Sequence, residues 1–137
     1  CGCVQKGGSA PIMDVIDYGE PVTTKGLNML YGPGNDLVSA TALTAAGAHM
    51  VLFSTGRGTP FGAPAPTLKI ATNSQLAAKK KTWIDFNAGV VADGERTLDE
   101  AGADLYRLVL DVASGKQTCA EKKGFREISI FKDGVVL

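Results

Sequence analysis

Arg57 stands between two glycines in the run Ser54-Thr55-Gly56-Arg57-Gly58-Thr59-Pro60-Phe61-Gly62. A guanidinium presents a planar fork of donors that matches a carboxylate or a phosphate. Gly56 and Gly58 let the backbone turn sharply and leave N–H groups open to an anion. Thr55 and Thr59 add hydroxyls on either side. The chemistry this run suits is anion recognition. It is not a dinucleotide fingerprint, because Phe61 stands at the third glycine position and Pro60 and Pro64 forbid the helix that would follow. It is not a phosphate-binding P-loop either, since the Gly-Lys-Ser/Thr ending is absent. A structural loop carrying a surface arginine would use the same residues.

Other groups are less specific. Gly32-Pro33-Gly34-Asn35-Asp36 leads from an apolar run into a helical pattern, and helix N-termini attract anions through free N–H groups and the dipole. A plain cap by Asn35 or Asp36 is the alternative. Lys6-Gly7-Gly8-Ser9-Ala10-Pro11 offers a cation and the Ser9 hydroxyl on a flexible loop, or serves as a linker. His49, the single histidine, opens an apolar stretch and reads better as a structural residue than as a base. Lys79-Lys80-Lys81 suits a solvated helix end, where cations complement the dipole. Asp85 and Asn87 could orient hydroxyls or form a turn. The cysteines are Cys1, Cys3 and Cys119. That odd number does not suggest a disulfide framework, and a reducing, cytoplasmic setting follows. Cys1-Gly2-Cys3 lacks zinc-site spacing and reads as incidental.

The elements that must position these groups alternate. Residues 1–25 read as irregular, from the turn signals Gly7-Gly8-Ser9-Ala10-Pro11 and Gly19-Glu20-Pro21. Leu27 to Tyr31 predicts a strand, followed by a helix from Asn35 or Asp36 to about Ala46 with Gly47 as its stop. His49 to Ser54 is almost continuously apolar, as a strand covered on both faces should be. Thr55 to Pro66 carries three glycines and three prolines and must be a loop. Thr67 to Ala71 predicts a third strand, Thr72 and Gln75 a capping box before a short helix, and Trp83 to Phe86 a fourth strand. Thr97 with Glu100 opens the best-marked helix, with Leu98, Ala101, Leu105, Leu108, Val109 and Val112 on one face and Gly115 as its end. Thr118 with Glu121 repeats the box for a short helix stopped by Gly124. Glu127 to Phe131 predicts a last strand, and Asp133-Gly134 a turn.

This pattern gives an α/β fold: a mainly parallel sheet flanked by helices, a Rossmann-like three-layer domain over 26–137. Ligands of such sheets bind beyond the carboxyl ends of the strands, which selects the loops Gly32–Asn35, Thr55–Pro66 and Asn87–Gly89. The chain has 137 residues, enough for one domain, with 45% hydrophobic and 20% charged residues. Its 14 basic and 14 acidic side chains balance, which argues against a dedicated nucleic-acid binder. No apolar run reaches membrane-span length, and no signal peptide is visible. The first residue is not Met, and the opening stretch reads like mid-protein sequence, so a fragment of a longer enzyme is expected, with residues 1–25 belonging to its larger catalytic body.

Taken in order, several segments resemble the C-terminal part of the altronate/galactarate dehydratase family. They are Lys6 to Pro11, Gly34-Asn35-Asp36, Leu52 to Gly62, Pro66 to Asn73, Trp83 to Gly89 and Ala113 to Thr118. The Thr-Gly-Arg-Gly-Thr-Pro element is the most specific of these. The resemblance implies a hydro-lyase that dehydrates a sugar acid in hexuronate catabolism to its 2-keto-3-deoxy product through an enediolate. It also implies a divalent metal, usually iron(II), without assigning ligands or a catalytic base to residues of this chain. The family extends to a sulfolactate sulfo-lyase. On this reading Arg57, Thr55, Gly56, Gly58, Thr59, Asn35 and Ser9 bind substrate. The partners are a small sugar acid and the remainder of the same polypeptide, with room for a homo-oligomer and with neither nucleic acid nor membrane. A non-catalytic anion-binding or assembly module is the competing reading.

The periodic helices and apolar strands can form a core, yet no self-contained set of metal ligands, acid and base is visible. The 137-residue chain alone should therefore give a cooperative melting curve and no dehydration of altronate or galactarate. Turnover of either acid by the isolated chain would overturn this.

Overall fold

A computed structural model describes Gln5 and residues 7–130. The element order is β1 (Ile12–Ile16), β2 (Leu27–Leu30), α1 (Asp36–Ala45), β3 (Val51–Thr55), β4 (Thr67–Ala71), α2 (Ser74–Lys79), β5 (Phe86–Asn87), α3 (Gly89–Ala92), α4 (Leu98–Ala113) and α5 (Cys119–Lys122). Every strand pairing among the described residues is parallel. The expected parallel α/β character is present, but the single Rossmann-like sheet is not. The strands form a two-stranded sheet, β1-β2, and a three-stranded sheet, β3-β4-β5. The reason is local. Beyond β2 the Tyr31 N–H turns back to the Ile16 carbonyl at 2.8 Å, so β2 is zipped to β1 and not to β3.

The central strand of the larger sheet is the covered one. In β4, Thr67, Leu68, Lys69 and Ala71 are buried, whereas Leu52 in the edge strand β3 is 51% exposed. The continuous apolar run of β3 therefore reports the edge of a sheet rather than a strand covered on both faces. Two small cores flank the sheet. Ala40, Val51, Phe61 and Ala63 pack with Leu37 and Phe53, and Ala71, Leu76 and Ile84 pack with Ala77. The small side chains of α1, with Ala40 and Ala42 buried, let that helix sit close to β3.

Sequence signals at helix ends hold well. Asn35 caps α1 by accepting from the Leu37 and Val38 N–H groups. Thr97 and Glu100, and again Thr118 and Glu121, form reciprocal capping boxes. Gly47, Gly115 and Gly124 follow their helices with φ of 108°, 104° and 72°, a region where a side chain is strained.

Several expectations need correction. Ile12–Ile16 is a strand inside the stretch read as irregular, and its pairing with β2 crosses the 25/26 division. It was missed because its pattern is neither cleanly alternating nor continuous. Strand β3 starts at Val51, leaving His49 exposed in a bend. The cap of α2 is Asn73, not Thr72: its side chain accepts from Leu76 N–H at 2.8 Å. The fourth strand is Phe86–Asn87 rather than Trp83 to Phe86, because the Trp83 and Ile84 N–H groups are drawn to the Lys80 carbonyl at the end of α2. No strand covers 127–130. Glu127 N–H goes to Gly62 O and Ser129 N–H to the Thr41 hydroxyl, so no ladder forms. Cys1, Cys3, Lys6, Phe131 and the Asp133-Gly134 turn lie outside the described residues.

Two glycines give opposite predictions. A Cβ at Gly89 would sit 2.2 Å from Ser74 N and 2.4 Å from Asn73 C, which is backbone that cannot step aside. Gly102 lies within α4 with nothing within 4 Å of such an atom. Gly89→Ala should destabilise by about 2 kcal/mol or more, and Gly102→Ala should stabilise by roughly 0.5–1 kcal/mol. Denaturant unfolding of both variants checks this, and equal effects would be inconsistent with the packing of α3 on α2.

Candidate functional site

The parallel register puts Thr55, Ala71 and Asn87, the last residues of β3, β4 and β5, in one row. The loops that follow share one sheet edge; of the three loops selected from the sequence, Thr55–Pro66 and Asn87–Gly89 begin there, whereas Gly32–Asn35 follows β2 in the other sheet. There the first turn of the long loop is built by hydrogen bonds. The Thr55 hydroxyl accepts from Gly58 N–H at 2.9 Å, and Gly58 has φ of 80°. Asn73 fastens this turn to the start of α2, donating from Nδ2 to Gly56 O at 3.1 Å while its Oδ1 caps the helix. Thr72 N–H donates to Thr55 O at 3.0 Å. Arg57 is left at the crest, exposed and without a hydrogen-bond or ion-pair partner among the described residues. The tight turn and the free guanidinium are what anion capture requires.

The loop then folds back along the sheet, and a buried lysine holds it there. Lys69 is fully buried in β4, and its Nζ donates to the Thr59 carbonyl at 2.6 Å. Burial lowers its pKa; Asp85, Glu127 and Cys119 pull it upward. Asp85 accepts from the Lys69 backbone N–H at 2.8 Å and from Cys119 N–H at 2.7 Å, so one carboxylate joins β4 to the N-terminus of α5. Burial, with the Asp85 carboxylate next in importance, raises the Cys119 thiol pKa. Glu127 fixes the loop from the other side, accepting from Gly62 N–H at 2.9 Å. Phe61 packs on Phe53 with ring centroids 5.5 Å apart. Between this wall and the N-terminus of α1 opens a cleft of about 390 Å³, lined by Asn35, Asp36, Leu37, Thr59, Pro60, Phe61 and Glu127.

The sequence-selected residues thus divide. Asn35 and Thr59 meet in the cleft, although they come from different sheets' loops. Thr55, Gly56, Arg57 and Gly58 form the turn at the sheet edge, which runs directly into Thr59, with Arg57 two residues before it. Ser9 lies in an exposed bend and lines neither place. Asn87 is held by Ser74, donating to its hydroxyl at 3.0 Å. The Asn35 side-chain oxygen is committed to capping, so the first turn of α1 offers fewer free N–H groups than an open helix end would. Lys69, Asn73 and Glu127 were not singled out from the sequence. A lysine inside an otherwise apolar strand was the available signal for the first. For Glu127 there was none, since its partner is 65 residues away.

The implied divalent metal does not fit these residues. Among the described residues no group of three or more His, Cys, Asp or Glu side chains could hold a metal ion. The acidic residues lining the cleft are Asp36 and Glu127, and one Glu127 oxygen already serves Gly62. No helix among the described residues is long and apolar enough to cross a membrane.

The chain is similar to known proteins over nearly all its length. Residues 1–136 match the family described as D-galactarate/Altronate dehydratase, C-terminal. The chain is 55% identical to an altronate dehydratase of Escherichia coli (strain K12) and 49% identical to one of Bacillus subtilis (strain 168). Each match covers 99% of this chain and 27% of the relative. It is 38% identical to a galactarate dehydratase (L-threo-forming) of Escherichia coli (strain K12), over 98% of this chain and 26% of the relative. The chain therefore spans about a quarter of the length of these relatives.

The depressed pKa of Lys69 has a signed consequence. An unfolded chain keeps that proton up to the ordinary lysine value of 10.5, whereas the folded chain releases it earlier. Between the two values unfolding takes up a proton, so the stability contributed at this site rises with pH and is lowest below the folded pKa. Melting curves of the native protein and Lys69→Met, paired from pH 7 to 10.5, should show the difference moving in favour of the native protein as pH rises. A constant difference would refute the assignment.

Proposed function

The chain belongs to the D-galactarate/altronate dehydratase family as its C-terminal domain, and on that premise we propose that it forms part of the acid-binding surface of a hydro-lyase acting on altronate. Altronate is favoured over galactarate because both altronate dehydratases are more similar to this chain than the galactarate enzyme is. The observation that carries the reading is the cleft joining Asn35 to Thr59, with the free guanidinium of Arg57 two residues from its wall.

In such a dehydration the proton beside the carboxylate is removed and the electron pair moves into the carboxylate. The resulting enediolate expels the neighbouring hydroxyl, which leaves as water after protonation, and the enol becomes a 2-keto-3-deoxy acid. Arg57 is of the kind to bind that carboxylate through two parallel hydrogen bonds, which strengthen as charge accumulates. Its tight turn keeps the backbone fixed while the side chain remains free. The Thr59 hydroxyl is suited to a substrate hydroxyl, since its backbone is anchored through Lys69 and needs no side-chain support. The Asn35 amide can act likewise, because Oδ1 is occupied by the helix and Nδ2 remains for a ligand. An iron(II) ion would supply Lewis-acid stabilisation of the enediolate in the full-length enzyme. On our reading its ligands lie outside the described residues.

Arg57→Lys in the full-length enzyme should keep a near-native melting temperature, because the side chain supports nothing in the fold. Turnover efficiency should fall roughly 100-fold, from loss of about 2–4 kcal/mol of transition-state stabilisation. Thr59→Ala should raise KM with little change in kcat. Steady-state kinetics with altronate, galactarate and sulfolactate, with and without iron(II), checks the reading. Normal kinetics for Arg57→Lys would leave the domain as an assembly module, and preference for sulfolactate would move the chain to the sulfo-lyase branch.

A further inference from the structure

The two-stranded sheet presents one packed face and one bare face. On the packed side Ile16 is buried, Leu30 is half-buried, and Asp14 accepts from the Thr24 hydroxyl at 3.1 Å. On the other side Val15 and its register partner Met29 are 73% and 47% exposed. Tyr31, two residues beyond Met29, is 62% exposed, and Ile12 and Met13 at the start of β1 are also open. Val15, Met29 and Tyr31 make an apolar face without a charge.

A parallel sheet is ordinarily covered on both faces, and an isolated pair of strands is marginal in water. A large apolar face with no charged member has the composition of an interface core rather than of open surface. We propose that the Val15–Met29–Tyr31 face of β1-β2 is an internal interface of the full-length enzyme, covered by the part of the polypeptide outside these 137 residues. The length relation selects that occupant. The chain accounts for 27% of the altronate dehydratases and 26% of the galactarate dehydratase, and the family description places it C-terminal, so a much larger body precedes this region in the relatives. A body joined to this domain by the chain itself meets the face at a high effective concentration, which a second copy does not share. The inference rests on family membership and on the sheet, not on the cleft, and kinetic failure of Arg57→Lys leaves it standing.

The test uses the full-length enzyme with a photo-crosslinking residue placed at Val15, prepared as an equal mixture of nitrogen-14 and nitrogen-15 chains. The expected result is cross-links within one polypeptide to peptides outside residues 1–137. Cross-links between light and heavy chains would assign the face to a second copy and overturn the proposal. Absence of any link beyond residues 1–137 would overturn it as well. In parallel, Val15→Lys should lower the melting temperature by roughly 3 °C or more, whereas Gln75→Lys at an exposed site of α2 should not. Equal behaviour of the two variants would show that the face remains in water.

Discussion

A charge buried in the middle of a sheet must be answered, and Lys69 sets that requirement for this domain. Its ammonium reaches the Thr59 carbonyl, lies 5.8 Å from the centroid of the Phe125 ring, and feels the Asp85 and Glu127 carboxylates. Those carboxylates are themselves committed, Asp85 to backbone N–H groups of β4 and α5, Glu127 to Gly62. Three charged side chains thus gather β4, the long loop, the last helix and the segment beyond it. An apolar residue at position 69 would pack well enough, yet it would leave the Thr59 carbonyl unanswered and the loop without its anchor.

The cleft is a by-product of that anchoring. Because Thr59 and Gly62 are tied down from beneath, Pro60 and Phe61 stand as a fixed wall opposite the first turn of α1. Arg57 stays outside the network. Its neighbours fix the turn through Thr55 and Asn73, so the guanidinium can move without disturbing the sheet. Rigid backbone and free side chain together suit a group that must find a carboxylate and hold it.

Much of this was readable from the sequence because it is local. Both capping boxes, the glycine stops and the strands β2, β3 and β4 announce themselves within a few residues. The Arg57 turn was legible for the same reason, since glycines on either side of a cation permit a tight turn, although the Asn73 bond that fastens it was not. What escaped was non-local. Asn73 displaced Thr72 as cap because it also holds Gly56, 17 residues away. β1 is a strand only because β2 lies beside it. Trp83 left the expected strand when Lys80, the residue that closes α2, drew its N–H and stacked over its ring at 3.8 Å. The family itself was conveyed by the resemblance, which no spacing of residues in this chain could have supplied.

The crossing of Glu127 and Ser129 over the molecule has a bearing on how the chain comes to be folded. Ser129 donates to Thr41 across 88 residues, and Glu127 to Gly62 across 65. During synthesis α1, the long loop and all three strands of the larger sheet emerge before the segment that clasps them. Until residues 127–129 leave the ribosome, the wall of the cleft is held by Lys69 and by the packing of Phe61 on Phe53 but lacks the Glu127 clasp on Gly62, and Thr41 presents its hydroxyl to no partner but its own helix. The cleft is therefore among the last parts of this region to mature, and a nascent chain halted before Glu127 would carry the sheet without the finished wall.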